Sequence, residues 1–232
     1  MRTGRIKVLL SIVAVLFMCT MFNCNAQAKM NVTVSPAKLV QNAKKHPTVY
    51  DSSVAHCMAL NEYTERMRKA GGGKLTLKKG TYRFQYSVCI PSNVTVVFED
   101  GVVIENIFDT KAHIKPATAM WQLVPKNMTY KNKAIGKYNG TSNAKMIAKG
   151  KVVFDMKYIK GLSIIAVHCK NIEISGITFK GMNGNHYIEV NGAKNVKINK
   201  CKFNKAKKGS PQKAYVKEAI NIDMADEITG GV

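Results

Sequence analysis

A segment of this chain returns 24 residues later. Asn171-Ile172-Glu173-Ile174-Ser175-Gly176-Ile177-Thr178-Phe179 recurs as Asn195-Val196-Lys197-Ile198-Asn199-Lys200-Cys201-Lys202-Phe203. Both copies open on Asn and then alternate apolar and polar residues, the periodicity of a strand. A repeat of about 20–50 residues marks a solenoid. With strands, turns and no helix inside the repeat, the expectation is a β-solenoid that presents a long ribbed face.

The first 28 residues read as a secretory leader. Arg2, Arg5 and Lys7 precede the apolar stretch from Val8 to Phe22, and Ala26-Gln27-Ala28 offers a cleavage site. The stretch is about 15 residues long, short of the ~20 that a spanning helix needs. The chain of 232 residues carries a formal charge of +22, to which the leader contributes only those three cations. Such a field attracts polyanions. For an exported chain these are acidic polysaccharides, cell-wall polymers such as teichoic acids, and anionic surfaces, rather than nucleic acid. The plain alternative is that Lys keeps a flat solenoid soluble and its edges unpaired. Cys57, Cys89, Cys169 and Cys201 follow the leader. Export permits disulfides, but these Cys occupy apolar positions or lie beside turn Asn residues, where free buried thiols sit. No ligand spacing for zinc is present.

Residues 29–50 read as an irregular lead-in with one extended patch, Val32-Thr33-Val34. Asp51-Ser52-Ser53 supplies N-cap residues. Leu60, Tyr63, Met67 and Ala70 then follow at helical spacing, and Gly71-Gly72-Gly73 ends the helix. A helix over 53–70 can cap the open apolar end of a first coil. Beyond it the chain reads as strand and turn, except for residues 109–142, expected to interrupt the coils as a loop. Asn93-Val94-Thr95-Val96, Asn143-Ala144-Lys145-Met146, Asn171-Ile172-Glu173-Ile174 and Asn195-Val196-Lys197-Ile198 share one pattern. Asn tolerates left-handed backbone, so these four residues are expected to stack at one bend of successive coils as a structural ladder.

Gly71-Gly72-Gly73-Lys74-Leu75-Thr76-Leu77-Lys78-Lys79-Gly80-Thr81-Tyr82 resembles the first coil of the pectate-lyase-like superfamily. So does Ile90-Pro91-Ser92-Asn93-Val94-Thr95-Val96. Asn183-Gly184-Asn185-His186-Tyr187-Ile188-Glu189-Val190 and Glu218-Ala219-Ile220-Asn221-Ile222-Asp223 are similar to a bacterial secreted branch of it. The resemblance implies an all-β fold: a right-handed parallel β-helix with an N-terminal capping α-helix, the domain spanning 51–232 and the coils 74–232. It also implies chemistry on polysaccharide, although this fold hosts lyases, hydrolases, esterases, epimerases and inert adhesins. The hydrolase motifs N-x-D, D-D, G-H-G and R-I-K are not found on successive coils. The last Arg is Arg83, before the coils where a lyase base would lie.

Aligning Ile188 with Ile220 sets His186 beside Glu218, Glu189 beside Asn221 and Asn191 beside Asp223. Alternation turns Ile188, Val190, Ile220 and Ile222 inward and Glu189, Asn191, Asn221 and Asp223 outward. With coils about 4.8 Å apart, Glu189 and Asp223 fall within ~5–9 Å on one face. That range suits paired carboxylates for glycoside hydrolysis or ligands for a hard cation such as calcium. Glu189, Glu218 and Asp223 are therefore the candidate catalytic residues, with His186 behind them. Asp223, Asp226 and Glu227 are the candidate calcium ligands. The structural alternatives are an ion pair of Glu189 with Lys213 or Lys217, a hydrogen-bonded His186, and solvated turn acids near Val232.

The reading is a secreted β-helix that binds or processes extracellular, acidic polysaccharide as a lyase or hydrolase. The alternative is a non-catalytic envelope-binding or structural solenoid, shortened from an active relative. An open apolar edge after the last coil implies truncation or a partner that covers it.

Overall fold

The computed structural model describes residues 28–43, 54–107, 119–124, 136–204 and 217–224. Their strands all pair in parallel across successive coils. The coils form a right-handed parallel β-helix with three strand ribbons. The first ribbon contains β1 (Met30–Val34), β2 (Gly73–Leu77), β5 (Val94–Phe98), the first half of β8 (Ser142–Asp155), the first half of β10 (Lys170–Lys180) and β12 (Lys194–Asn199). The second contains β3 (Gly80–Phe84), β6 (Val102–Asn106), the remaining halves of β8 and β10, and β13 (Lys202–Asn204). The third runs β4 (Val88–Cys89), β7 (Ala119–Gln122), β9 (Leu162–Val167), β11 (Ile188–Asn191) and β14 (Ile220–Asp223).

The 24-residue offset is the coil register. Ile174 pairs with Ile198 and Phe179 with Phe203. Inward side chains stack as continuous rows. In the second ribbon Phe154, Phe179 and Phe203 follow one another, with centroids 5.4 Å and then 5.2 Å apart. Trp121 sits against Phe84 at 4.9 Å and Phe98 at 5.8 Å. Each fully buried aromatic or aliphatic side chain in these rows contributes roughly 1.5–3 kcal/mol through burial.

The Asn ladder forms as expected. Asn93, Asn143, Asn171 and Asn195 all have φ between 55° and 62°, a conformation costing most other residues about 1–2 kcal/mol. Each amide donates to the next coil back: Asn195 to Asn171 at 3.0 Å, Asn171 to Asn143 at 3.0 Å and Asn143 to Asn93 at 3.2 Å. Asn93 Nδ2 ends the chain of bonds on the Gly71 carbonyl at 3.3 Å.

The N-terminal region corrects the expected irregular lead-in. Met30–Val34 is the outermost strand of the first ribbon, in register with Gly73–Leu77. Gly73 must be Gly because a Cβ there would overlap the Met30 carbonyl oxygen. Pro36–Ala43 is a helix, α1. Ser35 caps it, its Oγ accepting from Lys38 N at 3.3 Å, and Pro36 takes the first turn, where its missing N–H costs nothing. A second helix, α2 (Ala55–Lys69), covers the end of the first coil. Asn61 ties it down: Nδ2 donates to Ser87 O at 2.7 Å, and Oδ1 accepts from Cys89 N at 3.0 Å. Val54 precedes this helix without a side-chain cap; the expected cap residues Asp51-Ser52-Ser53 lie outside the described residues.

The loop expected over 109–142 is also corrected. Residues 119–124 belong to the solenoid, with Ala119–Gln122 paired between β4 and β9. The run Ala119-Met120-Trp121 is fully buried, so burial of the only Trp draws this segment into the third ribbon.

Candidate functional site

The third ribbon places the sequence-derived candidates together on adjacent coils. Glu189 pairs in register with Asn221, and Asn191 with Asp223. Glu189 is half-buried on β11. Its Oε1 accepts a hydrogen bond of 2.8 Å from Asn191 Nδ2, which fixes the carboxylate against the ribbon. Asp223 is exposed, one strand over and two residues along, and its Oδ1 accepts from Met224 N at 2.7 Å. That offset corresponds to roughly 8 Å between backbones, given the strand rise and spacing.

His186 and Glu218 form a separate pair at the bend leading into this ribbon. His186 is buried, Glu218 is 70% exposed at its side chain, and Nδ1 to Oε2 is 3.3 Å. The same Nδ1 lies 2.9 Å from the Glu218 carbonyl oxygen. His186 thus bridges two coils as a bend residue.

Two expected orientations need correction. Asn191 has outward parity but is completely buried. Ile222 has inward parity and pairs with Val190, yet is 81% exposed. It stands on the last described strand, and none of the described residues packs over it. Asp226 and Glu227 lie outside the described residues. Among the described residues, no group of three or more His, Cys, Asp and Glu is arranged to hold a metal ion.

Sequence reasoning missed two features. Asn191 Oδ1 and His168 Nε2 are buried without a hydrogen-bond partner. They share one bend, since His168 N donates to Asn191 O at 2.9 Å. His168 holds φ 48°, and its Nδ1 lies 2.9 Å from Lys137 O. Such orphaned atoms are rare in folded proteins, and each asks for a physical reason. The second feature is a charged row outside the second ribbon. Arg83, Glu105, Asp155 and Lys180 occupy one register line. Arg83 Nε and Lys157 Nζ reach Glu105 at 3.8 and 3.9 Å, and Lys180 Nζ reaches Asp155 at 2.9 Å. Glu105 and Asp155 are 50 residues apart in sequence, so the 24-residue repeat gave no sign of their adjacency.

The thiols are inert by environment. Cys57 and Cys169 are buried and free, Cys201 is half-buried and free, and Cys89 is buried. Burial pushes Cys57 and Cys169 up to about 12, which removes the thiolate needed for nucleophilic chemistry. Tyr187 is also raised by burial, with Tyr158 and Asp155 nearby adding to the effect.

No family model and no curated protein matches this chain. Among solved structures it is similar to an iota-carrageenase complexed to iota-carrageenan fragments, with a TM-score of 0.52 and 20% identity. That match covers 79% of this chain and 38% of the carrageenase, so the chain spans well under half of that protein. A protein from Parabacteroides merdae, provisionally described as a glycosyl hydrolase, aligns with a TM-score of 0.46 and 16% identity over 82% of this chain and 96% of that one. The carrageenase likeness shows the β-helix fold.

Proposed function

We propose that this chain is an exported β-helix that binds acidic polysaccharide and hydrolyses it on the outward face of its third ribbon. The observation that carries the reading is Glu189 fixed by Asn191 on a face it shares with Asp223. Backbones roughly 8 Å apart allow the two carboxyls a separation in the range used by inverting glycosidases. In that mechanism one carboxyl protonates the glycosidic oxygen while the other removes a proton from the attacking water. The sugar–oxygen bond breaks as the new carbon–oxygen bond forms on the opposite face. The positive charge supports an acidic substrate, the secretory leader supports export, and the carrageenase's complex with polysaccharide fragments supports the substrate class.

The test is incubation of the exported chain with polygalacturonate, iota-carrageenan and a neutral glucan. Release of reducing ends from an acidic polymer, without unsaturated products, is expected. Unsaturated products absorbing in the ultraviolet would replace hydrolysis by elimination. A second reading, a binding solenoid without catalysis, is favoured by Asp223 capping its own backbone at Met224. Saturable binding with no product from any polymer would establish it.

A further inference from the structure

The turn from β8 to β9 holds two bulky residues where small ones belong. Lys157 and Tyr158 have φ of 54° and 56°, and Ile159 N donates back to Met156 O at 2.8 Å. Two left-handed central residues closed by such a bond are the pattern of a type I′ turn, whose central positions favour Gly, Asn and Asp. At its ladder bend this chain meets a left-handed requirement with Asn on four coils. Here it uses Lys and Tyr.

The conformation is held from three sides. Asp155 Oδ1 accepts from Lys157 N at 2.9 Å. Gly181 O accepts from Tyr158 N at 2.7 Å, and Asn183 Nδ2 donates to Tyr158 O at 2.8 Å. The Gly181 position leaves no room for a side chain, since a Cβ would lie 2.8 Å from Asp155 Oδ1 and 2.9 Å from Lys157 N. All three bonds go to the backbone of Lys157 and Tyr158, and any residue but Pro supplies that backbone. The Tyr158 ring takes no part in them and is 45% exposed. Strained backbone that its surroundings over-determine is a pointer to function. What this turn achieves is the display of a ring.

The surroundings of that ring carry more positive than negative charge. Lys157, Lys160 and Tyr158 are exposed together, and Lys180 is on the next coil. Arg83, Lys157, Lys160 and Lys180 are four cations against the two carboxylates Glu105 and Asp155. An aromatic face is apolar and electron-rich, and it complements the C–H face of a pyranose ring. Exposed ammonium groups beside it draw anionic substituents, with a strength that salt screens.

We infer that Tyr158 is the aromatic platform of a saccharide subsite, stacking on a pyranose ring whose anionic group is received by Lys157 and Lys180. This inference rests on the polysaccharide reading given above and extends it to a second location, at the bend that feeds the third ribbon. The strained turn fixes the backbone that carries the ring, so little backbone entropy is lost there on binding.

The test compares Tyr158→Asn and Tyr158→Phe with the wild type. Binding of polygalacturonate and iota-carrageenan oligosaccharides is measured by calorimetry, and melting temperature by circular dichroism. Asn suits the left-handed backbone, so Tyr158→Asn is expected to melt no lower than the wild type while binding at least tenfold more weakly. Tyr158→Phe keeps the ring and is expected to bind within twofold of the wild type. Wild-type binding by Tyr158→Asn overturns this proposal and leaves the hydrolytic reading standing. A lower melting temperature for Tyr158→Asn makes the ring structural and also overturns it. Equal loss in Tyr158→Phe assigns the effect to the hydroxyl and overturns the platform. A wild type that binds neither probe overturns the proposal and the polysaccharide reading together.

Discussion

Phe179 and Phe203 stack ring on ring, with centroids 5.2 Å apart and planes 9° from parallel. One repeat separates them in sequence and one coil separates them in space. Phe179 is fully buried, whereas Phe203 is only partly so, at the last described coil of the second ribbon. Phe179→Ala should therefore cost about 3–5 kcal/mol, the range for truncating a buried aromatic, and Phe203→Ala distinctly less. Urea unfolding of the two variants checks the order; equal losses would mean that Phe203 is as deeply packed as Phe179.

The ladder separates two effects at one residue. Asn171→Ala removes amide bonds to Asn143 and Asn195 and places a Cβ-bearing residue at φ 57° without a compensating side chain. Asn171→Gly removes the same bonds and tolerates the conformation. Losses of about 1–3 kcal/mol are expected for Ala, from one or two hydrogen bonds plus the left-handed penalty. Gly should lose less. Thermal melts of both variants decide it, and a Gly variant worse than Ala would put the ladder's role elsewhere.

How much of this was legible in the sequence follows from where the repeat is uninterrupted. Residues 171–179 and 195–203 align without insertion, so the register of these coils could be read directly. Between Thr95 and Lys145, which also pair, the chain inserts enough residues to stretch one coil to 50. That insertion hid both the placement of Trp121 and the adjacency of Glu105 to Asp155. Pro36–Ala43 was readable in principle, because Ser35-Pro36 is a helix-start signal. The burial of Asn191 was not, since strand parity says which way a side chain points and nothing of what then covers it. Glu189, Asn221 and Asp223 were placed correctly by register, whereas the Tyr158 turn left no periodic trace at all.

His56 gives the fold a pH limit. Its Nδ1 accepts from Arg83 N at 2.9 Å, which requires that nitrogen to be unprotonated. Desolvation by burial, with the Arg83 charge adding to it, holds the imidazole below its ordinary value. The unfolded chain protonates as pH falls through about 6.5 and then binds a proton that the native state resists. The contribution of neutral His56 is therefore complete above that pH and is lost as pH drops below it, towards the folded value. The urea midpoint should fall between pH 8 and pH 5, and His56→Gln should flatten that dependence. An unchanged slope in the variant would assign the acid sensitivity to other groups.

Thiol chemistry tests the same core. Cys57 and Cys169, pushed up to about 12 by burial, should resist iodoacetamide at pH 8 until the chain is unfolded. Cys201 is half-buried and also raised, and should react first of the three. Mass spectrometry of native and urea-treated samples gives the order; rapid native labelling of Cys57 would mean that the α2 cap opens freely.

The third ribbon makes the sharpest demand on the functional reading. If Glu189 and Asp223 act as the two carboxyls of an inverting hydrolase, Glu189→Gln and Asp223→Asn should each reduce turnover by a factor of 10² or more, the scale of general acid–base contributions. Neither change should unfold the chain, because Glu189 is half-buried and Asp223 exposed. Asn191→Ala removes the bond that orients Glu189 without removing a carboxyl, so it should lower turnover less than Glu189→Gln does. It should also cost stability, because Asn191 is completely buried. The three rates, measured as reducing ends released from an acidic polysaccharide, have one expected order. Wild-type turnover in Asp223→Asn would leave Glu189 without its partner and move the second carboxyl away from β14. Wild-type turnover in both carboxyl variants would remove the chemistry from this ribbon altogether.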